Sequence, residues 1–138
     1  MKLKLVFLAA VFICIFTAVA FARDLGQWAS TDYEIKYWFQ HLMQPDNPTM
    51  SCCGEADAYY ADGFETQGDQ YVAIITDERP DGPLLRAHVD VGTKILIPNA
   101  KIKFDQSNPT GHGLVFMNKS GGYVPTTIVY CYLPPITG

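Results

Sequence analysis

The residues that could do chemistry are four cysteines, three histidines and a short acidic motif. Cys52 and Cys53 are adjacent within Ser51-Cys52-Cys53-Gly54-Glu55-Ala56-Asp57, and Cys131 stands near the C-terminus. In an oxidising compartment such thiols become disulfides. One bridge, Cys53–Cys131 or Cys52–Cys131, would tie the early chain to its last strand and leave one thiol over. Closing a loop of about 80 residues stabilises by about 4 kcal/mol in the chain-entropy model. A bridge between the two neighbours would be strained, since consecutive Cα atoms stand about 3.8 Å apart. The leftover thiol, if exposed and of depressed pKa, could exchange with the disulfide beside it. It could also join two chains into a homodimer. Redox domains usually space two cysteines two residues apart, and Cys52-Cys53 lacks that spacing.

Metal binding is the second chemistry. Cys52, Glu55, Asp57 and His112 are donors of the types that copper or zinc takes. Cys53, His41 and His88 are donors of the same types, but no two histidines share a ligand spacing, and there is no C-x-x-C pair. A cysteine held in a disulfide is lost as a thiolate. Glu55 and Asp57 read more simply as caps on backbone N–H groups near the cysteine loop. His112 lies in Asn108-Pro109-Thr110-Gly111-His112-Gly113, where the flanking glycines allow a close approach. It could act as a general base near neutral pH. A partner set is not readable: Ser51 and Ser120 lack a nucleophile elbow, and the acids form no spaced dyad. No catalytic residue is assigned.

These side chains need a scaffold, and the chain begins with a segment outside it. Lys2 and Lys4 precede an apolar run from Leu5 to Phe21, and Ala20-Phe21-Ala22 fits a signal-peptidase site. Residues 1–22 read as a signal peptide, with Cys14 inside it, and 23–138 as one exported globular domain, periplasmic or secreted, with no stable membrane anchor after cleavage. Losing Lys2 and Lys4 from ten basic residues leaves eight against 14 acidic, a balance of −6. With no basic stripe, nucleic acid is excluded as a partner.

Within the domain, Thr31 and Glu34 have capping-box spacing. Ile35, Trp38, Phe39 and Leu42 then form one helical stripe, stopped by Pro45 and Pro48. Glu55–Ala61 reads as a short helical turn. After it the period changes. Phe64–Thr66 and Tyr71–Thr76 suggest a hairpin through Gln67-Gly68-Asp69. Arg79–Pro83 reads as a turn or exposed loop. Further strand candidates are Leu84–Val89, Lys94–Ile97, Lys101–Phe104, Leu114–Asn118 and Thr127–Leu133, the last two joined by a turn at Ser120-Gly121-Gly122. The sum is α+β: an N-terminal amphipathic helix followed by a small, mostly antiparallel β-roll or barrel, stapled by a disulfide.

The S-C-C-G-x-x-D element, Asn108-Pro109-Thr110-Gly111, and Tyr130-Cys131-Tyr132-Leu133-Pro134-Pro135, together with Trp38-Phe39 and Pro45-Asp46, resemble an uncharacterised family of small exported α-proteobacterial proteins. The resemblance implies location and architecture and no activity. Relatives carry a further cysteine where this chain has Ala58, which removes a second bridge and a four-cysteine metal site. The expectation is a non-catalytic exported domain, held by one disulfide, that binds a protein or small-molecule partner or serves the cell envelope. The alternative is a periplasmic copper or zinc protein using the Cys52-Cys53 loop, with a thiol-disulfide exchange enzyme behind it.

Overall fold

The computed structural model describes Gly26, residues 28–120 and residues 126–136. The segment expected as a signal peptide and the expected Gly121-Gly122 turn lie outside the described residues. Helix α1 runs Tyr33–His41. Its cap is Asp32 rather than Thr31: the Asp32 carboxylate accepts from the Glu34 amide at 2.8 Å. A carboxylate there also suits the positive end of the helix dipole. The apolar stripe turns inward, with Leu42 buried and Trp38 and Phe39 packed at the margin of the core.

Six strands follow. They are β1 Asp57–Tyr60, β2 Gly63–Gln67, β3 Gln70–Ile74, β4 Lys94–Ile97, β5 Leu114–Ser120 and β6 Thr126–Leu133. They form two antiparallel three-stranded sheets, ordered β1-β5-β6 and β2-β3-β4. No closed barrel is present among the described residues. The sheets stack instead, through a core of Tyr59, Ala73, Ile95, Ile97, Val115 and Tyr132 with their neighbours.

The far face of the β1-β5-β6 sheet carries Leu114, Phe116, Cys131 and Leu133 against Leu42 and Cys52, beneath α1. Phe39 meets Phe116 edge-on at 5.8 Å. The central sheet is thus covered on both faces. That is why Leu114-Val115-Phe116-Met117 is apolar without alternation. β6 meets the same demand with an irregularity. Phe116 pairs with Cys131 but Met117 with Val129, so Tyr130 is an extra residue. The bulge turns Val129 into the inter-sheet core while Cys131 faces the helix side.

Several sequence expectations need correction. Glu55–Ala61 contains strand β1 rather than a helical turn, because Asp57–Tyr60 pairs with Leu114–Met117 across a long stretch of chain. Leu84–Val89 is not a strand. A short helix α2, Asp81–Leu84, ends at Leu85 in the left-handed region (φ 51°), and this reversal sends Arg86 inward. Lys101–Phe104 gives only the end of a 3-10 turn, Asn99–Lys101, and a parallel bridge from Ile102 to Tyr132.

Candidate functional site

The disulfide joins Cys52 to Cys131, with Cα atoms 5.6 Å apart and a sequence separation of 79. Cys53, the first of the two expected partners of Cys131, is the free thiol. The choice follows from backbone direction. The Cys52 amide donates to the Leu42 carbonyl at 2.8 Å, which presses this residue into the helix-side core where Cys131 lies. Cys53 packs at the margin of the same core, and its Sγ donates to the Phe39 carbonyl at 3.3 Å, near the end of α1. Burial pushes the Cys53 thiol up to about 12, opposed by a weaker hydrogen bond with Ser51. An exchanging thiol needs the opposite shift.

The expected metal donors are not brought together. Cys52 is spent in the bridge, Glu55 is exposed, Asp57 opens β1, and His112 lies at that strand's other end, stacked on Tyr60. Among the described residues no group of three or more His, Cys, Asp or Glu side chains could hold a metal ion. His41 stacks on Tyr37 at 3.9 Å.

A polar network that the sequence did not reveal runs along the free edge of β1. Asp77 is fully buried, and its carboxylate accepts from Arg79 Nε and Nη2, Arg86 Nη1 and the Tyr60 and Arg79 amides. Arg79 and Arg86 also donate to the Ala58 carbonyl, and the Thr76 amide donates to the Tyr60 carbonyl. The Ala58 carbonyl and the Tyr60 amide and carbonyl, which would otherwise lie on an open sheet edge, are thereby satisfied. Burial works to raise the Asp77 carboxyl. The hydrogen bonds from Arg79, Arg86 and the two amides outweigh it and hold the group well below the usual carboxylate range. Arg86 continues the network to Asp81 at 2.7 Å, and Asp81 to His88 at 2.6 Å.

At the other end of β1, Arg79 covers one face of the Tyr60 ring at 3.7 Å and His112 stacks on a face at 3.9 Å. His112 Nδ1 lies 2.9 Å from Asp62 Oδ2. The Gly113 amide and the Thr76 hydroxyl donate to the same carboxylate. A carboxylate is acceptor-only, so Nδ1 carries the proton toward Asp62. The glycine after His112 is needed for packing: a Cβ at Gly113 would strike the Ala61 carbonyl and lie 2.9 Å from Pro135 Cδ.

That contact fixes Pro134-Pro135-Ile136, which with Phe64, Tyr71 and Phe104 lines an open groove of about 330 Å³. Its polar members are Asp105 and Gln106. Phe104 is 74% exposed and Phe64 44%, a large apolar area for one spot on a small domain. Phe64 and Tyr71 lie with ring centroids 5.9 Å apart, tilted by 32°. Asp105 anchors the groove to the helix, because its Oδ2 accepts from Trp38 Nε1 at 3.2 Å. Behind this wall the Tyr132 hydroxyl is buried without a hydrogen-bond partner. Burial, with lesser contributions from Tyr71 and Asp62, raises its pKa to about 12. Neither the Asp77 network nor the groove was legible beforehand. The available signals were Arg79 and Arg86 flanking Pro80-Asp81-Gly82-Pro83, and Phe104 at the end of the Lys101–Phe104 strand candidate.

Comparison with protein-family models, curated proteins and solved structures found no match. No helix of the described residues is long and apolar enough to cross a membrane.

Proposed function

We propose that this chain is an exported, non-catalytic binding domain whose ligand seats in the groove of Phe64, Tyr71, Phe104 and Ile136. One observation carries the reading: large exposed aromatic side chains converge on a concavity instead of being scattered. The volume lies at the lower end of the range for small-ligand sites, about 300–1,000 Å³. The ionisable side chains near β1 support the non-catalytic half, since Asp77, Asp81, Arg86 and His88 are engaged with one another. The Cys52–Cys131 bridge supports export, because such bridges persist in oxidising compartments. The test is amide NMR with a mixture of small aromatic, aliphatic and ammonium solutes. Saturable shifts confined to residues 64, 71, 104–106 and 136 are expected, and Phe104→Ala should abolish them. Shifts that cluster elsewhere, or that survive Phe104→Ala unchanged, would remove the groove as the binding site. N-terminal sequencing of the protein recovered from the periplasm or medium tests export, with Arg23 as the expected first residue.

A further inference from the structure

The chemistry of the groove narrows its ligand. Three aromatic rings, Phe64, Tyr71 and Phe104, border the same space as one carboxylate, Asp105. Aromatic faces carry negative quadrupole charge and attract cations, most strongly those that are weakly hydrated. We propose that the groove binds an organic ammonium cation of the trimethylammonium type, its methyl groups against the rings and its charge toward Asp105. This rests on the groove being the ligand seat.

Asp105 is suited to the role. Its Oδ1 accepts from the Ser107 amide at 2.8 Å and the Ser107 hydroxyl at 2.6 Å, and its Oδ2 from Trp38. An ionised carboxylate has about four acceptor positions, so these three bonds orient it and leave capacity for a ligand. Burial raises its pKa, but the Ser107 and Trp38 bonds and the nearby Lys103 charge lower it further, so the carboxyl is ionised at neutral pH. Lys103 is the competing cation. Its Nζ is directed to the Met43 carbonyl at 3.0 Å, and none of the described side chains lining the groove is cationic. Pro134 and Pro135 add apolar surface to the lining without adding a charge.

The experiment titrates choline and its neutral carbon analogue, which has tert-butyl in place of trimethylammonium, into the intact protein by amide NMR. Choline should bind about twofold to thirtyfold tighter than the neutral analogue, the range that cation–π energies imply. Phe104→Ala should weaken both ligands, and Asp105→Asn should weaken choline alone. Phe104 is exposed, so its replacement leaves the fold intact and keeps the test valid if Asp105→Asn proves unstable. Equal binding of both ligands in the groove, with no response to Asp105→Asn, would overturn the cation assignment and leave the groove standing. Absence of groove shifts with either ligand, and with the solute mixture above, would overturn both. Sedimentation with phosphatidylcholine vesicles separates the sources. Co-sedimentation that Phe104→Ala abolishes supports a lipid headgroup; choline binding without it supports a free solute.

Discussion

Replacing Asp77 with alanine should be the most damaging single change to the β1 edge. The substitution removes the acceptor of Arg79 Nε and Nη2, Arg86 Nη1 and the Tyr60 and Arg79 amides at once. Breaking a buried ion pair from one side costs about 3–5 kcal/mol. The two guanidiniums differ in how they would respond. The Arg79 side chain is 27% exposed and can turn to water, whereas Arg86, at 3%, stays buried. Arg86 keeps Asp81 and the Ala58 and Arg79 carbonyls as partners, which favours the lower end, about 3 kcal/mol. For a domain of this size that is a fall in Tm of about 10 °C. Urea melts followed by near-UV circular dichroism would read it. A cycle with Arg86→Met adds a sharper check, since the double variant should lose less than the sum of the singles. Additive losses, or a loss below about 1 kcal/mol for Asp77→Ala, would refute the clamp. The pH dependence has a defined sign. The folded pKa is depressed, so the stabilisation is complete above the unfolded value of about 3.9. It is lost as pH falls through the folded pKa, below the ordinary carboxylate range. The gap between wild type and Asp77→Asn should therefore persist at pH 4 and close only in stronger acid.

Other substitutions probe the remaining features. Cys131→Ala opens the 79-residue loop and should cost between about 4 and 5 kcal/mol in a denaturant melt, while Cys53→Ser should change stability by under about 1 kcal/mol. Gly113→Ala drives a methyl against the Ala61 carbonyl and Pro135, so a loss of about 1–3 kcal/mol is expected, with altered shifts at Pro135 and Ile136. His88 has a pKa raised first by its bond to Asp81 and then by Asp90. Its contribution is present below the unfolded value of about 6.5 and is lost as pH rises through the folded pKa. An imidazole NMR titration should end above that of free histidine, and Asp81→Asn should bring it down.

The sequence exposed what depends on local pattern. The α1 stripe, the β2–β3 hairpin and strands β4, β5 and β6 follow from periodicity and turn residues that neighbours in sequence already carry. β1 did not, because Asp57–Tyr60 becomes a strand only when β5 arrives beside it. The Leu84–Val89 segment misled for the converse reason: it has strand composition, but Arg86 is drawn to a buried carboxylate whose burial no local pattern reports. The vicinal cysteines left their pairing open since they stand almost equally far from Cys131 along the chain. The Leu42 hydrogen bond to Cys52 decides between them, and that bond is tertiary. The groove stayed hidden because its walls come from β2, β3, the Phe104 loop and the C-terminal prolines, four separate stretches.

The strand order β1-β5-β6 sets the timing of folding. β2, β3 and β4 are neighbours in sequence and can pair as soon as they exist. β1 must wait for β5, and Cys52 for a cysteine in the final strand. A chain emerging from its N-terminus therefore holds an unpaired strand and two reactive thiols until its last stretch appears. Non-local closure of this kind is slow. The interval exposes the chain to mispaired disulfides, so a catalyst of disulfide isomerisation should speed maturation, and Cys53→Ser should remove the main wrong partner.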